Sequence, residues 1–381
     1  MSYRKTTSRR SLLAALGVGA IGISFGLEGC SKPGAAPGGS SASGAAEEPK
    51  LNFYNWDEYI GDTTLDDFKT ATGIDVNMSL FASNDELFAK LKAGNPGFDV
   101  IVPTNDYIPR LTAANLLMPL DHSKIPNIKN VNAAFLDPPY DPGRKFSLPY
   151  TWLCLGIGYR KSKMKPMDNG SLVPDSWKWL FESGLYKKRL TVLGDSADLV
   201  RLAGKYLGYP LNDIPDDGLA KIEAMLTKQV KAGNILKFTG DEGDQMLADK
   251  EADIVMEYNG DIAQQKVKDD DLDFVVPREG SELSSDTLCI PTGAPRPDNA
   301  HKFINFILDG AAGAEISKTI SYPTPNDAAR ALMDDGYKNN PIIFPPQSAL
   351  AKCEYGQFPG VERAQKFEEI ATRIKAAASG G

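Results

Sequence analysis

From residue 51 onward, strand and helix patterns take turns along the chain. Short apolar or alternating runs at 51–56, 74–80 and 98–103 read as strands, and the stretches 64–72 and 85–93 between them carry apolar residues at helical spacing. The alternation resumes with strands at 190–193, 235–239, 253–257 and 273–276, separated by helices at 198–207, 218–232 and 260–268. Strand–helix–strand repetition commits a chain to parallel pairing, because parallel neighbours need a crossover long enough to hold a helix. A body of about 330 residues exceeds what one ordinary core holds together, so two such lobes are expected. The apolar stripes Leu219, Ile222, Leu226, Val230 and Ala300, Phe303, Ile304, Ile307, Leu308 follow helical period and read as core. The fold class is therefore α/β in two lobes, each a mainly parallel sheet flanked by helices. Parallel sheets receive small molecules at the carboxyl ends of their strands, which puts the expected ligand cleft between the lobes.

Ahead of this body stands a leader. Arg4, Lys5, Arg9 and Arg10 precede an apolar run over 12–25, followed by Leu27-Glu28-Gly29-Cys30. That order reads as an export signal over 1–29, and the run is short and Gly/Ala-rich for a permanent membrane span. Ser8-Arg9-Arg10-Ser11-Leu12-Leu13 is similar to a twin-arginine export signal. Leu27 to Cys30 resembles a lipobox, with Cys30 the residue that takes the lipid. Residues 30–49 are nearly all Ser, Gly, Ala, Pro and Glu, a composition that cannot bury enough apolar surface to order itself and reads as a flexible tether. The expected location is the periplasmic space or the extracellular face, held at a membrane by that lipid alone.

The whole chain carries a formal net charge of −8. The leader holds four basic side chains against the single acid Glu28, so the body is more acidic still. An acidic surface argues against nucleic acid as a partner and suits a cationic ligand. Besides Cys30 there are Cys154, Cys289 and Cys353, too scattered for a metal site, and the two histidines, His122 and His301, give little material for catalytic triads. His301 begins an amphipathic helix and reads as structural. Gly17-Val18-Gly19-Ala20-Ile21-Gly22 matches a dinucleotide pattern but sits inside the leader after no strand. Phosphate loops, nucleophile elbows and metalloprotease motifs are missing from the sequence. No enzyme activity, cofactor or metal is expected.

Six strings carry a resemblance. LNFYNWDEYIGDTTLDDFKTATGIDV from residue 51, then FDVIVPTNDYI, FSLPYTW, LGY, MEYNGD and YPTPN, stand in the order and at the spacing found in bacterial spermidine/putrescine-binding proteins. The likeness covers essentially all of the body. It implies the two-lobe periplasmic-binding-protein fold, a monomer that closes on a polyamine such as putrescine or spermidine, and delivery to the membrane permease subunits of an ABC importer. It also implies the division of the chain into 50–155 with 288–338 as one lobe and 156–287 with 339–381 as the other. Strands crossing between lobes near 148–159 and 287–291 would form the hinge.

A polyamine is a set of ammonium groups joined by methylenes, and each part needs its own wall. A buried ammonium requires a carboxylate, and methylenes want aromatic faces, which also attract the cation by roughly 0.5–2 kcal/mol each. The resemblance carries such residues to Trp56 and Tyr59 at the end of the first strand, flanked by Asp57 and Glu58. It carries a contact to Asp106, which is equally placed to cap the following helix. Asp195 and Asp198 match a pair of acidic ligands three residues apart, and the same two residues suit the start of a helix. In Glu257-Tyr258-Asn259-Gly260-Asp261, Tyr258 stands for a stacking Trp and Asp261 for an ammonium partner. Ser284-Ser285-Asp286 keeps the acid Asp286 but lacks an aromatic at Ser284, which leaves chain-length preference open. Were Asp106, Asp195, Asp198, Asp261 and Asp286 all to converge, they would outnumber a diamine's charges, so that some would be protonated or the ligand would be a triamine or a guanidinium compound. Competing readings are another cationic solute or a sugar, a ligand-sensing protein, and a secreted hydrolase.

Overall fold

The computed structural model describes residues 47–167, 170–240 and 242–378. The leader over 1–29, Cys30 and all but the last three residues of the 30–49 tether lie outside them.

The first run of alternating patterns folds as β1 (Lys50–Asn55), α1 (Thr64–Thr72), β2 (Asp75–Leu80), α2 (Asn84–Lys92), β3 (Val100–Ile101) and α3 (Tyr107–Ala113). Helix α1 stops at Gly73, whose left-handed backbone (φ 73°) lets its N–H reach the Lys69 carbonyl, and α2 starts where the Ser83 hydroxyl accepts the Glu86 N–H. Strand β1 lies between β2 and β3, parallel to both, with Phe53 opposite Met78 on one side and Val100 on the other. The sheet is completed by β4 (Ser147–Pro149) and β11 (Thr287–Cys289) in the order β2-β1-β3-β11-β4. The expected strand at 98–103 keeps ladder pairing only at Val100 and Ile101. Asp99 turns its carboxylate onto the Asn52 N–H (2.7 Å) and onto Arg296, and Pro103 has no N–H to give. Phe53, Phe68 and Phe303 pack edge to face in this core, which α9 (Pro297–Ile307), α10 (Gly310–Ile320) and α11 (Asp327–Leu332) help to cover. His301 does not begin the helix, which starts at Pro297, but lies one turn inside it and is structural: its ring accepts the Asp121 N–H and meets the Pro297 carbonyl.

The second sheet contains β5 (Leu153–Arg160), β6 (Leu190–Leu193), β7 (Ile235–Thr239), β8 (Ile254–Tyr258), β9 (Leu272–Val275), β10 (Glu282–Ser284) and β12 (Glu354–Tyr355). Its order is β12-β10-β5-β8-β6-β7, with β9 pairing β5 beyond β10. The helices α4 (Lys178–Phe181), α5 (Ser196–Tyr206), α6 (Asp216–Lys231), α7 (Gly243–Ala248) and α8 (Asn259–Lys268) belong here, followed by the short α12 (Asp335–Lys338) and α13 (Gln347–Leu350) and by α14 (Val361–Ala376). Leu199, Leu226, Phe367 and Ile374 from three of these helices share one core with Ile157, Val192 and Ile254 of the sheet.

Both sheets are mixed rather than mainly parallel. Every antiparallel pair involves β5 or β11, the strands the chain enters through its two short passages between the sheets. Two of the passages are short, residues 150–152 from β4 to β5 and residues 285–286 from β10 back to β11, while a third runs from β11 through α9–α13 to β12. Cys154, Cys289 and Cys353 are all free thiols. No helix among the described residues is long and apolar enough to cross a membrane.

Candidate functional site

The turn after β1 is built by Asn55, fully buried, whose Nδ2 donates to the Tyr59 carbonyl at 2.8 Å. Glu58 adopts φ 47°, the left-handed region, so the chain reverses within four residues. That reversal folds Tyr59 inward and leaves Asp57 and Glu58 exposed. The Tyr59 hydroxyl donates to Asp286 Oδ2 at 2.8 Å and also meets the Thr151 hydroxyl. Thr104, three residues beyond β3, donates to the other oxygen, Asp286 Oδ1, at 2.8 Å. Asp286 is 6% exposed and sits in one of the two short passages between the sheets. Burial pushes its carboxyl up to about 6, against the pull of the Tyr59 and Thr104 hydroxyls. Trp56 donates Nε1–H to the Val102 carbonyl at 2.9 Å and leans on Phe81, which leaves its ring half-buried.

The second sheet contributes from the carboxyl ends of β6 and β8. Asp195 caps α5: its Oδ1 accepts the N–H groups of Ala197 (2.8 Å) and Asp198 (3.1 Å) while the residue stays exposed. Asp198, in the first turn, accepts the Tyr258 hydroxyl at 3.0 Å. Burial, followed by the nearby charges of Asp195 and Glu282, raises its carboxyl well above the ordinary value. At the start of α8, Asp261 accepts the Tyr322 hydroxyl at 2.7 Å. Tyr322 lies so close over Gly260 that any side chain there would run into its ring. It also packs edge to face on Tyr59, 5.4 Å between centroids, so an aromatic contact joins the Asp261 and Asp286 neighbourhoods.

The carboxylates share an internal cation. Arg201, one turn along α5 from Asp198 and 1% exposed, places Nη1 2.8 Å from Glu282 Oε1 and 3.9 Å from Asp106 Oδ2, and its Nη2 donates to the Gln357 carbonyl. Asp106 precedes α3 but makes no side-chain cap bond. Burial raises it to about 6, with Arg201 pulling down and Asp195 pushing up. Glu282, 3% exposed, is pushed by burial to about 7 despite its bond to Arg201.

The structure therefore brings Asp106, Asp195, Asp198 and Tyr258 into one group around Arg201, and Tyr59 and Asp286 into a second that Tyr322 connects to Asp261. Asp57 and Glu58 stand outside both, exposed on the turn; the Asp57 carboxylate accepts the Glu58 N–H. Trp56 meets the second group through neither of its contacts with Val102 and Phe81. Sequence reasoning missed Arg201, Glu282, Thr104, Thr151 and Tyr322. For Tyr322 the signal was at hand in the YPTPN string; for Arg201 it was the i, i+3 spacing from Asp198, which puts both on one face of α5.

Two α/β lobes joined by paired strand passages, with acids and tyrosines gathered at the carboxyl ends of both sheets, define the class of two-lobe solute-binding proteins. The chain belongs to the family of bacterial extracellular solute-binding proteins, whose family model matches residues 63–345. It is similar to the putrescine/cadaverine-binding protein of Pseudomonas aeruginosa, 31% identical over 88% of this chain and 96% of that protein. The spermidine/putrescine-binding periplasmic protein of Escherichia coli is likewise 31% identical, over 90% of this chain and 96% of its own length. Among solved structures, a putative spermidine/putrescine ABC transporter protein from Listeria monocytogenes superposes with a TM-score of 0.79 at 30% identity, covering 86% of this chain and 99% of that one.

Proposed function

We propose that the protein captures a linear polyamine of the putrescine/spermidine class outside the cytoplasm and delivers it to the permease subunits of an ABC importer. The observation that carries this reading is a pair of carboxylates, half-buried Asp198 and buried Asp286, each steadied by a tyrosine hydroxyl and each held above its ordinary pKa chiefly by desolvation. Such groups gain from an incoming ammonium, which supplies the counter-charge that burial denies them. Asp195, Asp261 and Asp106 add acceptors, and Trp56, Tyr59 and Tyr258 add faces for methylenes. Exposed Asp57 and Glu58 would meet a cation before it is enclosed. The lobes would rotate about the passages at 150–152 and 285–286, dividing the chain close to 50–155 with 288–338 and 156–287 with 339–381.

In this reading the protein catalyses nothing, acts as a monomer and has no nucleic-acid partner. The leader exports it, by the twin-arginine route, and lipidated Cys30 holds it at the membrane while the tether keeps it near the permease. Replacing Cys30 by Ala should move the protein from the membrane fraction to the soluble fraction, and an unchanged distribution rules the anchor out.

Calorimetric titration with putrescine, spermidine, agmatine and maltose, after refolding to strip carried-over ligand, tests the substrate class. An amine binding at micromolar strength or better, about −8 kcal/mol, with no heat from maltose, supports it. Heat from maltose alone transfers the site to sugars.

A further inference from the structure

A diamine has two charges to place, a triamine three. Around the cleft stand Asp106, Asp195, Asp198, Asp261, Glu282 and Asp286, and also Arg201, a cation that belongs to the protein. Its guanidinium is buried, anchored by Glu282 Oε1 at 2.8 Å and by the Gln357 carbonyl, with Asp106 Oδ2 at 3.9 Å. Residue 356 has to be glycine for this arrangement, because a Cβ there would collide with the Glu282 carboxylate and crowd Arg201 Nη1. The second oxygen of Glu282 is buried without a hydrogen-bond partner among the described residues, so Arg201 is what compensates this carboxylate. Arg201 also acts on Asp198 and Asp195 through space, drawing down the demand of that group for external charge.

Resting on the polyamine reading above, we propose that Arg201 is a specificity-determining residue: a built-in cation that stands in for one ammonium and fits the cleft to ligands of two charges over those of three or four. Two carboxylate groups then remain for the ligand, Asp195 with Asp198 at the start of α5, and Asp286 with Asp261, which Tyr59 and Tyr322 connect. A third ammonium would meet the guanidinium instead of a free acid. Because the interaction is electrostatic, it scales with ligand charge. Loss of a packing or hydrogen-bonding role would weaken every amine alike.

The test compares putrescine, spermidine and spermine on the full chain by calorimetry at neutral pH, in the native protein and in R201Q, E282Q and R201Q/E282Q. The native protein should favour putrescine. R201Q, which unmasks the Glu282 and Asp106 charges, should shift the spermine-to-putrescine affinity ratio toward spermine by about tenfold or more, and E282Q, which frees the guanidinium, should shift it the opposite way. The double variant should return the ratio close to the native one. If R201Q fails to fold, E282Q against the double variant still gives the answer. Affinity ratios that stay constant across the folded variants while the native protein binds amines would overturn the proposal and leave the polyamine reading standing. A native protein that binds no amine would overturn both.

Discussion

Replacing Asp286 by Asn should make the free protein more stable and its ligand binding much weaker. Asp286 is nearly fully buried, and burial raises its carboxyl from 3.8 to about 6. Since the folded state holds this proton more tightly than the unfolded chain does, stability falls as pH rises from about 4 through 6, and the full cost applies above that window. A displacement of that size corresponds to about 3 kcal/mol at pH 7.5. Asn keeps an acceptor for one of the Tyr59 and Thr104 hydroxyls, while its amide has to find a partner at the other, so the net gain should be about 1–2 kcal/mol. In a chain of this size that raises Tm by about 3 °C. At pH 5, midway through that window, only about half of the cost applies, so it roughly cancels the lost hydrogen bonding and the gain should shrink toward zero. Putrescine or spermidine affinity should fall by about 100-fold or more, the loss expected when one member of a buried charge pair is removed. Differential scanning calorimetry at the two pH values, with and without amine, reads all of this. A variant less stable at both pH values and still stabilised by amine would refute the reasoning.

Three further outcomes follow from the same geometry. Amine affinity should fall as pH drops through about 6, because Asp106 and Asp286 take up protons in that range, and binding near pH 6 should release protons, seen as a heat that changes with the buffer's ionisation enthalpy. Tyr258→Phe removes the hydroxyl that donates to Asp198 at 3.0 Å and should weaken amine binding roughly tenfold in titration, with Tyr258→Ala weakening it further. Asn105→Ala should cost about 2–4 kcal/mol in urea unfolding, since the buried Asn105 side chain donates to the Gly356 carbonyl and accepts the Ser285 N–H, both at 2.8 Å, and both partners would be left unpaired.

Much of the fold could be read from periodicity. α1 and α6 lie within two residues of the stretches whose apolar spacing points to them, and β1, β6 and β7 form where the apolar runs stand. Strand β5 could not be read this way. All eight of its residues are buried, so it has no polar face to alternate with, and it runs antiparallel to β8, β9 and β10 where sequence alternation points to parallel neighbours. The site was legible where one residue has one job. Asp198 and Asp286 are acids at strand or helix ends, and they lie where the motifs put them. Asp195 caps α5 and still leaves its carboxylate exposed. Arg201 carried one signal, its i, i+3 spacing from Asp198, but a basic residue in an amphipathic helix reads as solvent-facing, and only the tertiary placement of Glu282 and Gln357 turns it inward. Asp57 and Glu58 share a strand end with Tyr59, but the reversal at Glu58 sends them outward, a backbone choice that residue type does not announce.

A crystal structure of the protein with putrescine bound tests the central claim most directly. The account predicts one ammonium within hydrogen-bond distance of Asp198 or Asp195, the other on Asp286, the methylenes against Tyr59 and Tyr258, and the lobes closed over them. An amine seated away from both carboxylate groups, or a cleft that stays empty at saturating amine, would contradict it.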